Sequence, residues 1–482
     1  MSTINSNDLR VKNAKNLATE LQTTSYIFIS KPTEWSTGDE SPPVPTNNNR
    51  EFNNTYDEML SLSLITADDI HYMIPRVTWT SGIVYDMYRH DYTPTNVSAS
   101  GAKNLYNAVF YVINQNNDVY VCLSNDGNTA SSVEPQNTSG TPFFTSDGYQ
   151  WLRVFRLSPD EIFNYTTANY IPVSSNDLVN GDNGAINTVV IDTPGTEYTV
   201  NPAGVTNQIP YYYCRIVGDG FGAVARVTVS AGSVIDIEVV RSGSGYTYAT
   251  LDFVSGRTYS TLTSLDNNSN GLNPLGDGTF NSTVIISPTG GWGTDIVREM
   301  GGTRVGVFTT LEFNETDFFP DVTFRRIGLL KDPTFRIANP NTATGCFAIS
   351  VTDYGGPSSY TVGERLSQVV TVGGVSKNAF GTVVGYDDTN NIVRYIQDPT
   401  IHTDGDGTMY PFSGTDYLVG IVSGKTTKPT TFTGTLAETS FISGYSSPEV
   451  NKYSGLMVYM SNISPVLRQS TQSEKVSLII SY

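Results

Sequence analysis

The sequence has few of the residue types on which most enzyme chemistry depends. Its 482 residues include three histidines and three cysteines, and 15% of the residues are charged. The usual charged fraction is about 25%. Neither an H-E-x-x-H nor a G-x-S-x-G pattern is present. We therefore predict that the chain has no catalytic residues, binds no cofactor and is not an enzyme.

The cysteines are too few and too far apart to build a disulfide framework or a zinc site. Cys122, Cys214 and Cys346 are odd in number, and each lies among apolar or aromatic neighbours. Free cysteine in such a context behaves as a small hydrophobic residue. We predict three buried thiols in a chain made in a reducing cytoplasm.

The histidines, His71, His90 and His402, lie in contexts that favour packing or hydrogen bonding over acid–base catalysis. His90, for example, belongs to the aromatic-rich segment Tyr85–Tyr92. Neighbouring carboxylates such as Asp39–Glu40 and Asp68–Asp69 have the residue types of a glycosidase pair. An acidic chain of this length contains many such pairs, so they do not indicate a glycosidase.

Clusters of positive charge and long apolar runs are also missing. The net charge is −18, and the longest basic cluster is Arg325–Arg326. Phosphate binding needs clustered Lys and Arg, so we predict no nucleic-acid partner. No run approaches about 18 apolar residues, and the N-terminus has neither a basic nor an apolar region. We therefore expect no membrane association and no signal peptide.

The composition that is present favours β-structure with many loops. The chain contains 29 Tyr, 21 Phe, 43 Gly and 24 Pro. Aromatic and β-branched residues favour strands, and Gly and Pro favour the turns between them. The polar surface is made mainly of Asn, Ser, Thr and Gly, which suits virions and other long-lived extracellular assemblies. The length allows two to four domains.

Local patterns predict several elements. Asn5–Asp8 can cap a helix that runs on from Leu9, and Tyr26–Ser30 is a short apolar strand. The segment Tyr56–Leu64 fits either a helix or a strand. A hairpin is predicted around the polar turn Asn114–Asn117, and a β-meander is predicted at about 360–396.

An internal repeat stands in the middle of the sequence. Copy 1, Gly184–Thr199, aligns with copy 2, Gly232–Thr247, and each reads as a strand, a glycine turn and a Tyr-Thr pair. The matching positions are Gly184 with Gly232, Gly195 with Gly243, Tyr198 with Tyr246, and Thr199 with Thr247. Because two copies are too few for a solenoid, we predict a small β-domain at 174–289 inserted into a larger one.

The strongest metal-like pattern lies inside this insert. Asp266, Asn268, Asn270 and Asp277 occupy the first, third, fifth and twelfth places of a calcium loop. Against calcium, the twelfth place holds Asp instead of Glu, Pro274 takes the ninth place, and no flanking helix is predicted. The alternative is an Asn/Gly-rich turn, and no metal is predicted elsewhere.

The C-terminal segment is the most informative part of the chain. Tyr453–Asn462 and Val476–Tyr482 read as two strands joined by a polar connection. Chain ends fray unless they are held in a sheet. A terminus that stays apolar and β-prone is therefore predicted to pair within one.

Several blocks together resemble one family of phage proteins, the baseplate wedge subunit of contractile-tailed, T-even-like bacteriophages that forms a dimer near the wedge periphery. The matching blocks are Tyr26–Trp35, Ile74–Trp79, Val121–Gly127, Ser146–Trp151, Gly291–Gly301, Asp317–Pro320, Phe324–Thr334 and Tyr453–Tyr459. The regions that they span cover about 60% of the sequence, outside the repeat. The sequence departs from the family pattern at Ser461–Ile463 and Thr471–Glu474, so charged contacts there are not carried over.

The resemblance implies a structural role in the virion tail baseplate. Such subunits pair with themselves as homodimers and bind other wedge subunits, and they have no known active site. Assembly proteins use aromatic anchors at their contacts. The interface candidates are Trp35, Tyr85, Tyr88, Tyr92, Tyr149 and Trp151, and the alternative for each is ordinary core filling.

We therefore predict a mainly β protein with a few short helices. A β-sandwich core combines residues 1–173 with residues 290–482, and the repeat domain is inserted between them. The alternative function is a tail-associated adhesin that binds host glycans, since Tyr, Asn and Gly loops serve either role. Adhesins are usually trimeric and have fibrous stems, and the sequence contains neither a heptad region nor a long repeat.

Overall fold

The computed structural model describes residues 6–174, 181–199, 211–312, 317–336 and 340–482. The chain forms two compact units, each assembled from separated segments. Unit 1 contains the residues up to Ala14, His71–Val305 and the residues from Ile480 on. Unit 2 contains Lys15–Ile70 and Gly306–Ile479.

Strands dominate the described residues. The first are β1 (Ser25–Ser30), β2 (Met59–Leu64), β3 (Ile70–Pro75), β4 (Tyr111–Ile113), β5 (Asp118–Ser124), β6 (Phe143–Phe144), β7 (Gln150–Arg156) and β8 (Tyr170–Pro172). The next are β9 (Ile186–Thr193), β10 (Tyr211–Gly218), β11 (Val224–Ser230), β12 (Ser233–Arg241), β13 (Ala249–Leu251), β14 (Thr258–Tyr259) and β15 (Asn281–Ile286). The last are β16 (Arg304–Leu311), β17 (Thr323–Lys331), β18 (Thr342–Thr344), β19 (Phe347–Gly355), β20 (Arg365–Val372), β21 (Val375–Asp387), β22 (Ile392–Ile396), β23 (Leu418–Gly420), β24 (Thr426–Pro429), β25 (Gly434–Leu436), β26 (Thr439–Phe441), β27 (Tyr445–Ser446), β28 (Leu456–Leu467) and β29 (Glu474–Ser481).

Helices are short. They are α1 (Asn7–Leu21), α2 (Asn49–Asp57), α3 (Leu262–Asp266) and α4 (Ile296–Glu299), with 3₁₀ turns at Ala67–Asp69 and Leu105–Asn107 and a π-helical turn at Glu161–Tyr165. None of the helices within the described ranges has the length and apolar character needed to cross a membrane. The prediction of a mainly β fold with a few short helices is confirmed.

Helix α1 and the segment Tyr56–Leu64 test two predictions of local structure. The helix predicted from Leu9 is α1, and its first turn is capped by Ser6, whose Oγ accepts from the Leu9 N–H at 3.3 Å. Asn5, the first predicted cap residue, lies outside the described residues. The ambiguous segment Tyr56–Leu64 is both elements, since it contains the end of α2 and all of β2.

Unit 2 contains a five-stranded sheet built from both ends of the chain. Its strand order is β18-β2-β1-β17-β28, and β1 is buried along its whole length because its side chains are apolar on both faces. The predicted C-terminal strands are confirmed as β28 and β29, and β28 pairs antiparallel with β17. Strands that are far apart in the sequence are therefore neighbours in this sheet.

Unit 2 also contains a seven-stranded sheet. Its order is β22-β21-β20-β23-β24-β19-β27, and β20, β21 and β22 pair antiparallel in sequence order, which is the meander expected from the sequence. The turn between β20 and β21 uses Gly373 and Gly374, with φ of 59° and 81°. Positive φ at both central residues is typical of a two-residue hairpin turn.

Unit 1 contains an aromatic-rich core around the four-stranded sheet β4-β5-β7-β6. The predicted hairpin is confirmed, since β4 and β5 pair across the turn Asn114–Asn117. In that turn the side chain of Asn114 accepts from the backbone N–H groups of Asn116 and Asp118. A polar residue here supplies the hydrogen bonds that the reversing backbone lacks.

The two copies of the repeat face each other across reciprocal contacts. The N–H of Ile186 in copy 1 donates to the carbonyl of Ser242 in copy 2 at 2.9 Å. The equivalent N–H of Val234 in copy 2 donates to the carbonyl of Pro194 in copy 1 at 3.1 Å. Each copy also forms an antiparallel strand pair, β9 with β15 and β12 with β11, in matching register. The two copies are therefore related by an approximate internal two-fold axis.

Candidate functional site

Four of the predicted interface residues fill the core of unit 1. Tyr85, Tyr88, Tyr149 and Trp151 are at most 5% exposed. The rings of Tyr149 and Trp151 stack with their centroids 5.4 Å apart, and the Tyr149 hydroxyl donates to the carbonyl of Thr129. Core filling, the alternative considered above, describes these side chains, because groups sealed inside one chain offer no surface to a partner.

Trp35 ties the proline-rich loop of unit 2 to its sheet. It is 8% exposed, its Nε1 donates to the carbonyl of Ile463 on β28, and the guanidinium of Arg326 lies over its ring at 5.4 Å. Next to it Arg325 binds Asp39 through two hydrogen bonds of 2.8 and 2.7 Å. The pKa of the Asp39 carboxyl is held below its usual value by that guanidinium. The loop is thus fixed to β17 and β28.

Tyr92 is the predicted interface residue that keeps exposed surface in unit 1. It is half-buried, and its hydroxyl donates to the carbonyl of Met87 at 2.9 Å. Its ring lines a groove of about 600 Å³ that also contains the carboxylates of Asp126, Asp236 and Glu238. The groove is open, and these carboxylates make its lining acidic.

The first part of the calcium-like loop is held by neighbouring side chains. Asp266 forms two hydrogen bonds with Arg241, at 2.6 and 2.8 Å, and Asn268 accepts from the hydroxyl of Tyr259. Asp266 is also the last residue of α3. The expectation that no helix flanks the loop was therefore wrong, because Thr261 caps one short turn through its side chain.

The twelfth position of the calcium-like loop belongs to a different hydrogen-bond network. Asp277 accepts hydrogen bonds from the backbone and hydroxyl groups of Thr196 and Thr279. Asn270 has a φ of 56°, which asparagine tolerates in turns. Within the described ranges, no group of three His, Cys, Asp or Glu residues is arranged to hold a metal ion. The Asn/Gly turn, the alternative reading of the pattern, describes this geometry.

The histidines and cysteines lie in structural positions. His402 is buried, with Nε2 2.9 Å from the hydroxyl of Thr382 and Nδ1 accepting from the N–H of Asp398. Burial lowers the pKa of His402 to about 4, so its ring is neutral near pH 7. His71 packs against Tyr165 with ring centroids 3.7 Å apart and the ring planes tilted by 32°. All three cysteines are free and buried, as predicted.

An open strand edge in unit 2 is the most conspicuous surface of the described residues. The β28 edge is the outer side of Leu456–Leu467, and no described strand pairs with it. Leu456 and Leu467 are 64% and 51% exposed. From Tyr453 to Leu467 the sequence contains no charged residue, although the chain carries a net charge of −18. Natural edges are usually protected by lysine, proline, a bulge or a covering element. Pro465 and the contact between Trp35 and Ile463 lie in the C-terminal half of β28, so the part from 456 to 461 is the one suited to pairing with another chain.

Sequence reasoning identified β28 as a strand without identifying its edge. The available signal was the run without charge, which ends at Lys452 on one side and Arg468 on the other. Whether a strand is central or at an edge depends on which strands pair with it. The uncharged run alone therefore did not locate β28 at an edge.

No protein-family model matches the chain, and no curated protein matches it. The resemblance to the baseplate family therefore stays a prediction from its residue blocks.

Proposed function

We propose that this chain is a structural subunit of a phage tail baseplate wedge, which it joins by protein–protein contacts with a second copy and with other wedge subunits. The observation that carries the proposal is the position of three resembling blocks. Tyr26–Trp35, Phe324–Thr334 and Tyr453–Tyr459 lie far apart in sequence, yet they contribute β1, β17 and β28, which are adjacent strands. Blocks that were alike by chance have no reason to meet in one sheet.

The β28 edge is proposed as the contact between the two copies. Two identical edges related by a two-fold axis pair antiparallel, and such a contact closes on itself as a dimer. Each copy carries a net charge of −18, so most of its surface repels a second copy. The uncharged stretch from Tyr453 to Leu467 is a place where that repulsion is weakest.

Mass photometry of the purified chain, combined with one edge variant, tests the contact. We expect a dimer, and we expect Leu456→Lys to weaken dimerisation by about tenfold or more, since lysine on an edge opposes pairing. Val422→Lys is the matched control because Val422 is also strongly exposed, at 74%, and lies in a turn of the same unit. A chain that is monomeric at every concentration, or equal effects of both substitutions, would contradict this contact.

Labelling purified phage particles with an antibody against the chain tests the assignment to the baseplate. We expect label at the host-facing end of the tail, in a structure that also contains other wedge subunits. Label along a fibre, together with a stable trimer in solution, would instead support the adhesin.

A further inference from the structure

Unit 2 contains a pocket with an aromatic wall. Its volume is about 470 Å³, within the range of pockets for small ligands. Phe347 on β19 and Tyr395 on β22 stack with their centroids 5.3 Å apart, and Phe412 meets Tyr395 edge-on at 4.8 Å. The ring of Phe347 is also contacted by Nζ of Lys452, which lies 4.9 Å from its centroid, so the half-buried ring of Tyr445 is the one that faces a ligand.

One carboxylate in this pocket is only partly used. Oδ1 of Asp57 accepts from the hydroxyl of Tyr453 at 2.7 Å and lies 3.4 Å from Nζ of Lys452. Its other oxygen, Oδ2, accepts no hydrogen bond from a described residue. Burial raises the pKa of Asp57 and lowers that of Lys452, while the contact between them opposes both shifts. In Asp57, Oδ1 is therefore hydrogen-bonded within the protein, and Oδ2 is available to accept from a ligand.

A second free acceptor comes from a buried amide. Gln397 is 3% exposed and lines the same pocket. Its Nε2 donates to the carbonyls of Phe380 and Tyr410 at 2.7 and 2.9 Å, which fixes the orientation of the amide. Its carbonyl Oε1 accepts no hydrogen bond from a described residue. An acceptor that faces a pocket of this size is hydrated when the pocket is empty, so a ligand hydroxyl that donates here replaces a hydrogen bond from water.

The charges around the pocket restrict the kind of donor. Lys452 and Arg336 both line it, and Lys452 already compensates the charge of Asp57. A cationic ligand would meet two positive groups, and an anionic ligand would meet the two free acceptor oxygens. A neutral ligand with several hydroxyl groups satisfies both acceptors without either repulsion.

We propose that this pocket binds one neutral sugar unit of a carbohydrate. Two of its hydroxyls donate to Asp57 Oδ2 and Gln397 Oε1, and its apolar ring face packs on Tyr445. The serines at the pocket rim provide further partners for the remaining hydroxyls. The inference concerns the pocket alone and stands independently of the wedge assignment.

Saturation-transfer NMR of the full chain tests this site. The probes are glucose, galactose and N-acetylglucosamine as methyl glycosides, each alone with the protein. We expect saturation transfer to at least one of them. Ser440→Trp fills the rim of the pocket, and we expect it to weaken binding by about tenfold or more. Ser447→Trp, at another rim position, provides a second variant in case the first does not fold.

Ser376→Trp is the matched control, because Ser376 is an exposed strand serine of the same unit that does not line the pocket. We expect it to bind as the unmodified chain does. Absence of transfer to all three sugars would overturn the proposal, as would binding that survives both rim substitutions. Binding of N-acetyl-lysine methylamide in place of the sugars would identify an amine site instead and would equally overturn it.

Discussion

The two copies of the internal repeat follow the same backbone path, but their matching residues have different surroundings. Copy 1 and copy 2 each begin with a glycine at positive φ, 65° at Gly184 and 85° at Gly232, and each has a buried tyrosine before its last residue. A Cβ at Gly184 would overlap the backbone N and O atoms of Tyr246, whereas at Gly232 the nearest atom is the backbone N of Glu197, 3.5 Å away. The similar sequences of the two copies therefore give similar backbone conformations. The atoms packed against each glycine determine whether a larger residue is tolerated there.

The matching tyrosines of the two copies, Tyr198 and Tyr246, also differ in their surroundings. The hydroxyl of Tyr246 donates to the carbonyl of Ile216 at 3.0 Å and accepts from the N–H of Ala223 at 3.2 Å. Tyr198 instead packs among the rings of Phe253 and Phe280. The tyrosine of copy 2 thus holds two backbone groups, whereas the tyrosine of copy 1 belongs to an aromatic cluster.

The largest effect is expected from the two glycines. Gly184→Ala adds both a strained φ and a backbone overlap, and we expect it to lower the free energy of unfolding by about 3 kcal/mol. Gly232→Ala adds only the conformational strain and should cost about 1 kcal/mol. Urea unfolding followed by tyrosine fluorescence measures both. Equal losses would show that the copies are more alike than the contacts of Gly184 indicate.

A smaller difference is expected between the tyrosines. Tyr246→Phe leaves a buried N–H and a buried carbonyl without their partner, and should destabilise by about 2 kcal/mol. Tyr198→Phe removes a hydroxyl beside an intact aromatic cluster and should cost less, about 0.5 kcal/mol. Both rings stay in place, so the same unfolding measurement isolates the hydroxyls. The comparison fails if Tyr198→Phe proves the more damaging substitution.

The smallest effect concerns one exposed aspartate beside each copy. Hydrogen bonds from Thr247 and Tyr248 lower the pKa of Asp219 to about 2, and hydrogen bonds from Thr196 and Thr279 lower the pKa of Asp277. Both pKa values lie below that of an unfolded aspartate, near about 4. The stabilisation is therefore fully present above about pH 4 and is lost as the pH falls towards the folded values.

Replacing both carboxylates with amides tests this pH dependence. We expect the variant that combines Asp219→Asn with Asp277→Asn to be less stable than the natural chain at neutral pH. Its melting temperature should fall less steeply between about pH 4 and pH 2, since the two titrations are gone. Parallel melting curves for the two proteins would show that these carboxylates do not contribute.

Short-range features of the fold were predictable from the sequence. The hairpin across Asn114–Asn117 and helix α1 each depend on contacts between residues close in the chain, and the structure contains both. The segment Tyr56–Leu64 was ambiguous because the junction between α2 and β2 falls within it. Strand and helix patterns are averages over a window, so they do not locate a change of element inside one.

Longer-range features were not predictable in the same way. The pattern of aromatic residues did not distinguish an anchor from a core residue, and only the packing of unit 1 assigns Tyr149 and Trp151 to the interior. The pocket proposed to bind a sugar is lined by Asp57, Gln397 and Lys452. These residues are far apart in the sequence, so no local pattern relates them. The calcium pattern had suitable spacing, but Arg241 and Thr196 hold its two carboxylates in different networks.

The sequence by itself determined the β-rich character of this protein, the repeat and its glycine turns, the buried thiols and the strands at the C-terminus. Each of these follows from composition or from neighbours within a few residues, where side-chain alternation and backbone preference act. The tertiary structure alone decided that β28 lies at an open edge, which aromatic rings are sealed and which polar atoms remain without partners. Those properties depend on groups that folding brings together from distant parts of the chain.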